Sequence, residues 1–244
     1  LVFLSSAFSK EAVTLLDTLK MPAWKIASGE VSNTELLSEM AQTNKPILIS
    51  SGMSSISEIR QAIDIVEGKS PFGVLQCTSA YPCPPEKLGL NLINIYRDIF
   101  DCPVGLSDHT GVIFSGLAAA TLGIDILEVH VTLSKEMFGP DISSSITTKE
   151  LSELVKGISY IEKTINNPVD KDEMAVELNP LRNLFTKSVV SLSEIPANTI
   201  IERNMITAKK PGTGIPEKNI DEVVGKKAKH NIGKDKVIKP TDIA

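Results

Sequence analysis

Six times in the first 165 residues, a short apolar, β-branched run leads into a polar or glycine turn and then a helical stretch. The runs open at Val2, Ala23, Pro46, Phe72, Pro103 and Ile126, and the helical patterns cover residues 10–19, 33–41, 56–66, 90–100, 112–122 and 148–165. Runs this apolar are buried on both faces, and each helix returns the chain to begin another parallel strand. Ser57-Glu-Ile-Arg and Thr148-Lys-Glu-Leu put a hydroxyl or acid in an expected first turn. Parallel units of this kind close in two ways, as an open doubly wound sheet or as a (β/α)₈ barrel. The strand ends decide between them. They carry Ser5 and Ser6, Lys25 and Ser28, Ser50 and Ser51, Thr78 and Ser79, Ser107 and His109, and Glu128, His130 and Thr132. A doubly wound sheet concentrates its chemistry at one switch point, whereas a barrel lets every strand feed one central site. The fold class expected is therefore α/β, a TIM barrel, with two further units expected before Leu1.

The texture changes downstream. Residues 166–183 are polar, carry Pro168 and Pro180, and lose the repeat, which reads as a linker. From Lys187 short runs alternate with turns, as expected of a small β-rich module. The domain reading is thus a partial barrel over 1–165, a linker over 166–183 and a β-rich domain over 184–244. Charge follows the same division. Residues 1–183 hold 14 Lys and Arg against 23 Asp and Glu, while residues 184–244 hold 11 against 7. A basic module on an acidic body favours docking of one on the other or steering of an anion.

Composition excludes several classes. No run reaches a membrane-spanning length, because Ser115, Thr121 and Asp125 interrupt the most apolar segment, 111–127. No Arg-rich helix or finger spacing points to nucleic acid. Cys77, Cys83 and Cys102 are too few and too irregular for a disulfide framework, which suits a reducing, cytoplasmic setting. The chain opens on Leu1 with no Met, basic leader or cleavage-like site, so no signal peptide is read and an upstream start is expected.

Two of the three histidines, His109 and His130, end consecutive expected strands. Neighbouring strands are about 4.8 Å apart, so both imidazoles reach one metal ion; the alternative is a pair of hydrogen-bonded core histidines. Glu128 and His130 are two apart and share a strand face. Lys25 lies inside an expected buried strand and must find an anion or react as an amine. Serines at neighbouring strand ends favour phosphate for that anion. Glu30 reads as a base, an orienting acid or a helix-start acid. Tyr81 stands on a proline-braced loop, and Asp141 follows the last expected strand, as a site or turn residue.

Five ordered motifs, Trp24-Lys-Ile-Ala-Ser-Gly-Glu, Ser50-Ser-Gly-Met, Gln76-Cys-Thr-Ser-Ala-Tyr-Pro, Gly105-Leu-Ser-Asp-His-Thr and Glu128-Val-His-Val-Thr-Leu, resemble the sialic acid (N-acetylneuraminate) synthase family. The tail, with Lys187-Ser-Val-Val, Pro211-Gly-Thr-Gly-Ile-Pro and Val224-Gly-Lys-Lys, resembles that family's SAF, or antifreeze-like, domain. The resemblance implies condensation of phosphoenolpyruvate with an N-acetylmannosamine-type sugar, releasing phosphate. It also implies a homodimer whose SAF domains are exchanged, each capping the partner's barrel. It assigns a divalent metal, most often Mn²⁺ (otherwise Mg²⁺ or Co²⁺), to His109 and His130. Phosphoenolpyruvate falls to Lys25, Ser28 and Ser107, joined by Ser6 and by Ser50 or Ser51. Glu30 contacts or activates the sugar, with Tyr81 and Asp141 lining its pocket and Ser79 and Lys187 adding substrate contacts. The sequence departs from the family pattern at Val129, Ile142, Thr186-Lys187 and Ser79, the last standing where some members carry Asn. Two other readings stay open at this point: an aldolase-like lyase using Lys25 as a Schiff base, and an inactive homologue that binds a sugar.

Overall fold

The computed structural model describes residues 2–244, which divide into two compact units, residues 2–167 and 168–244. In the first unit helices and strands alternate: α1 (Lys10–Asp17), β1 (Trp24–Ile26), α2 (Thr34–Ala41), β2 (Ile47–Ser50), α3 (Ile56–Val66), β3 (Phe72–Cys77). They continue as α4 (Asn91–Phe100), β4 (Val104–Asp108), α5 (Phe114–Thr121), β5 (Ile126–Thr132), β6 (Ser145–Thr147) and α6 (Thr148–Ile165). All six strands are parallel and lie in chain order, which excludes the reversed strand order of a doubly wound sheet.

The sheet curls. In a flat sheet β1 and β5 would lie about 19 Å apart, four strand spacings. Yet Lys25 of β1 and Glu128 of β5 meet at 3.3 Å. Side chains alternate across the curl. Trp24 and Ile26 face outward, and the Trp24 indole donates to Thr43 Oγ1 beyond α2. Lys25 faces inward, in register with Leu48, and Leu48 shares its face with Ser50. The outer layer, with Ile47, Ile49, Val74, Val104 and Leu106, packs against Leu37, Met40, Ile59, Ile63 and Ile93 of the helices. That apolar shell leaves the inner face free to be polar at the strands' C-terminal ends.

The count of strands departs from the sequence reading at both ends. The run at Val2 gives only an isolated parallel bridge, Ser6 to Lys25, and β6 is a strand the reading did not contain. Two of the three residues of β6 are hydroxyls, so it has no apolar run to announce it. Among the described residues β6 pairs with β5 alone, and no closed ring of eight forms. The expected first turns hold Ser57 with Glu58 and Thr148 with Glu150, and the residue before each helix caps it: Ser55 with Glu58, and Thr147 with Glu150, form reciprocal capping boxes at α3 and α6.

The expected linker, residues 166–183, is not extended, and from Pro168 it belongs to the second unit. It carries α7 (Lys171–Glu177) and most of α8 (Asn179–Phe185). Pro180 occupies the first turn of α8, where its missing N–H is not needed. Beyond them β7 (Ser188–Ser191) and β8 (Ile206–Lys209) pair antiparallel, and isolated bridges such as Ile195 to Ile232 and Val190 to Val237 close the rest. The expected abundance of strands thus reduces to two strands plus bridges, and Val223 ends a short helix, α9 (Ile220–Val223), rather than starting a strand. Val189, Ile195, Ile201, Ile206, Ile215 and Ile238 form an aliphatic core.

Candidate functional site

The inner face of the curled sheet opens into a cavity of about 130 Å³. Ser6, Lys25, Ser28, Ser50, Tyr81, Ser107, His109 and His130 all line it, together with Cys77 and Glu128. From Ser6 to His130 these residues span 124 positions in sequence, and most come from five strand ends. Parallel strands in chain order bring them together, because every strand delivers its C-terminal end to the same side.

Lys25 is 8% exposed. Its ammonium lies 3.3 Å from Glu128 Oε2 and donates to the Ile26 carbonyl at 3.2 Å. The contact with Glu128 is a charge pairing without hydrogen-bond alignment, since Oε2 is buried and has no hydrogen-bond partner. Ser50 Oγ is likewise buried and unpartnered. Unpartnered polar atoms are costly in a folded interior and ask for an explanation. Here both border one cavity. Ser51 is different. Its Oγ donates to Gln76 Oε1 at 3.2 Å and accepts from the Cys77 amide at 3.0 Å, so it joins β2 to β3 and does not line the cavity.

His109 follows β4 and is 5% exposed. Its Nδ1 lies 3.0 Å from the Thr78 carbonyl, an acceptor only, so Nδ1 carries the hydrogen and Nε2 keeps a free lone pair. The loop that holds His109 is tied to α5 through Asp108, which accepts from the Thr110 amide at 2.9 Å and from the Ser115 hydroxyl. His130 sits on β5 with its ring 5.1 Å from that of His109. Its Nδ1 is 3.7 Å from Asp141 Oδ2. Two imidazoles converging on one space, one with its other nitrogen held by a backbone carbonyl, fit a divalent metal ion. Among the described residues no group of three or more His, Cys, Asp or Glu gathers around a common point, so the remaining positions would fall to substrate or water.

Tyr81 leans over this pair, 4.3 Å from the His109 ring and 5.8 Å from that of His130. Burial, then the neighbouring Cys77 and Asp141, push its phenol above the ordinary range, so it stays a hydrogen donor at neutral pH. Burial raises the Cys77 thiol as well, which makes it a packing residue of the cavity floor and a poor nucleophile.

Other expected residues stand apart. Glu30 does not line the cavity; its carboxylate accepts from Asn33, the N-cap of α2, at 2.7 Å. Ser79 stands behind Ser28, with their hydroxyl oxygens 3.0 Å apart. Asp141 borders a second cavity of about 390 Å³, shared with His130, Leu133, Met137 and Ile142. Lys187 belongs to the second unit, where it pairs with Glu217 at 3.9 Å and lines a cavity of about 740 Å³ with Arg182 and Lys218. The motif reading leaves out Glu128 as a site residue, although its spacing of two from His130 marks the shared face. Cys77, buried at 4% exposure, also borders the cavity.

Comparison with known proteins decides the family. Residues 1–170 match the NeuB family, and residues 186–244 match the SAF domain. The chain belongs to the NeuB family. It is 34% identical over 243 residues to the N,N'-diacetyllegionaminic acid synthase of Campylobacter jejuni, covering 98% of this chain and 72% of that one. It is 37% identical over 240 residues to the N-acetylneuraminate-9-phosphate synthase of Homo sapiens, covering 97% and 66%. The crystal structure of N-acetylneuraminic acid synthetase from Leptospira borgpetersenii, in complex with citrate, matches with a TM-score of 0.69 and 31% identity over 75% of this chain and 66% of that chain. The NeuB chain thus spans between about two thirds and three quarters of these relatives. Among its described residues no helix is long and apolar enough to cross a membrane.

Proposed function

We propose that this NeuB-family chain condenses phosphoenolpyruvate with an N-acetylmannosamine-type sugar, giving a nine-carbon sialic-type acid and inorganic phosphate. The observation that carries the reading is the single cavity where Lys25, four serines and two histidines converge. That set suits a small phosphorylated acid beside a metal. The names of the relatives supply the reaction class: synthases of N-acetylneuraminate 9-phosphate and of diacetyllegionaminic acid.

In this reading the Lys25 ammonium and the hydroxyls of Ser6, Ser28, Ser50 and Ser107 hold the phosphate. Ser50 gains the partner it lacks, and the anion competes with Glu128 for Lys25. The cavity of about 130 Å³ is assigned to the three-carbon acid. The sugar is assigned to the neighbouring cavity of about 390 Å³, where His130 stands on the boundary and Asp141 offers a carboxylate to its hydroxyls. Tyr81 donates from above, and Glu30 is the acid assigned to orient or activate the acceptor. His109 and His130 would hold a divalent ion, Mn²⁺ for preference, which when bound supplies Lewis-acid polarisation of the open-chain aldehyde.

The bonds balance simply. The methylene carbon of phosphoenolpyruvate bonds to the aldehyde carbon, water adds to the central carbon, and the bond from that carbon to the phosphate oxygen breaks. The chain's own part is to hold the two substrates in line and keep the phosphate charge compensated. The Schiff-base alternative loses ground because the Lys25 ammonium is already engaged by Glu128 and the Ile26 carbonyl.

The test is phosphate release from phosphoenolpyruvate with Mn²⁺ and, in turn, N-acetylmannosamine, its 6-phosphate and the diacetamido hexose precursors. One of these should release phosphate in step with a nine-carbon product. Release with none, alongside borohydride trapping of a keto acid on Lys25, would move the assignment to the lyase. The expected assembly is a homodimer acting in the cytoplasm; sedimentation of the purified chain checks the first part.

A further inference from the structure

Lys25, Ser50 and Ser107 reach the cavity from strands, where the sheet fixes them. Ser28 does not. It opens a short 3₁₀ turn, Ser28–Glu30, after β1, and needs something else to hold it. Two neighbours do so. Gly52, two residues beyond Ser50, adopts φ +47, in the left-handed region that favours glycine. A Cβ at position 52 would lie 1.9 Å from Ser28 Cβ, 2.8 Å from Ser28 Oγ and 3.0 Å from Ser79 Oγ. The loops after β1, β2 and β3 therefore meet at a point where only a hydrogen atom fits. There Ser28 Oγ and Ser79 Oγ sit 3.0 Å apart. Ser28 lines the cavity and Ser79 does not.

Hydroxyl chemistry gives the contact a direction. Phosphate oxygens only accept, and a serine has one hydrogen to give. For Ser28 to donate into the cavity, its own oxygen must accept from Ser79. A chain ordered in this way is polarised along its length. We propose that Gly52 and Ser79 are positioning residues that act through Ser28, Gly52 by admitting it to the junction and Ser79 by turning its hydrogen toward the phosphate. This assignment rests on the cavity being the phosphoenolpyruvate site.

The experiment is calorimetric titration of phosphoenolpyruvate into the full chain and its variants. Gly52→Ala should weaken binding at least about tenfold, and Ser79→Ala about fivefold, the size of one net hydrogen bond. Each change is then repeated in a Ser28→Gly background, which removes the contacts with Ser28 and its hydroxyl and leaves only the 3.0 Å approach to Ser79 and the left-handed backbone. There neither should alter affinity by more than about twofold, because residues acting through one partner lose their effect with it. Mn²⁺ affinity should stay constant throughout, a result that general loosening of the fold would not give. Ser79→Ala adds no bulk, so it carries the test alone if Gly52→Ala does not fold. Normal binding by Ser79→Ala overturns the proposal, as does an undiminished loss in the Ser28→Gly background. If the unmodified chain takes up no phosphoenolpyruvate while binding Mn²⁺, the cavity's assignment fails, and this one with it.

Discussion

The second unit braces its buried serines with its own backbone, whereas the first braces some, such as Ser51 and Ser145, and leaves others open. In the second unit the buried serines are Ser188 and Ser191, and both are fully used by the backbone. Ser188 donates to the Pro211 carbonyl and accepts from the Gly214 amide. Ser191 donates to the Gly233 carbonyl and accepts from the Lys236 amide. In the first unit Ser50 Oγ and Glu128 Oε2 are buried without hydrogen-bond partners, and Lys25 lies among them. The same residue type thus does two jobs. A serine whose hydroxyl is consumed by its own chain is a brace, whereas Ser50 stays open beside a lysine and two histidines, as the proposed phosphate site requires. The difference also separates stability from function, because the open groups cost the fold something and the braced ones support it.

The sharpest break of that contrast removes the histidines. His109→Ala or His130→Ala should lower Mn²⁺ affinity by more than about a hundredfold, since even groups that merely orient a ligand are worth roughly 10–100-fold. Melting temperatures should hardly move. Titration of Mn²⁺ into each variant decides it, and unchanged affinity in both would remove the metal from this face of the sheet.

Lys25→Met comes next. Charge-assisted bonds to phosphate are worth roughly 1.5–3 kcal/mol, or about 10–100-fold in affinity. The loss should fall on the phosphoenolpyruvate KM and leave the sugar KM near its original value. The change leaves Glu128 Oε2 buried without its neighbouring charge, so a denaturant melt run beside the kinetics separates loss of fold from loss of binding. A raised sugar KM with normal phosphoenolpyruvate kinetics would contradict the phosphate assignment.

A matched pair of serine deletions tests the contrast most directly. Ser191→Ala strands a buried amide and a carbonyl and should cost the second unit about 1–3 kcal/mol. Ser50→Ala removes an unpartnered oxygen and should leave the first unit's stability unchanged or slightly raised, while weakening phosphoenolpyruvate binding. Denaturant melts of both variants against one binding titration settle the point. Equal destabilisation by the two would mean that Ser50 is also a brace.

How much of this the sequence carried depended on the length and polarity of each element. Helices over 56–66 and 148–165 are long and amphipathic, and their bounds coincide with α3 and α6. Ser145–Thr147 was invisible because a three-residue strand with two hydroxyls has no periodicity to read. Residues 166–183 looked like linker because their prolines and charges suppress an apolar stripe, yet Pro180 suits the first turn of a helix. At the site, period-two alternation puts Glu128 and His130 on one face, and the register from β1 to β5 adds Lys25, Ser50 and Ser107 to that side. The choice between Ser50 and Ser51 needed that register, since neighbours in a strand face opposite ways. The tie between Ser28 and Ser79 joins two loops, and loop-to-loop contacts leave no pattern in sequence.

The smallest effect concerns a carboxylate that belongs to neither class of buried group. Glu150 closes the capping box at the start of α6, accepting from the Thr147 amide at 2.6 Å. That backbone bond, then the Thr147 hydroxyl, holds its carboxyl below the ordinary glutamate range. A group whose value is lowered on folding contributes its stability fully above the unfolded value. It loses that contribution as pH falls through the folded one. Glu150→Gln keeps the shape but does not titrate. The stability advantage of the unchanged chain over this variant should therefore be greatest above about pH 5 and shrink toward pH 3, because unfolded glutamate titrates near 4.3. Thr147→Ala, which removes the cap itself, should cost about 1 kcal/mol at neutral pH. Phosphoenolpyruvate affinity should be untouched by either change. A gap between Glu150 and Gln that does not vary with pH would show that the cap acts by shape alone. A shift in phosphoenolpyruvate affinity would tie the bracing groups of the first unit to its open ones.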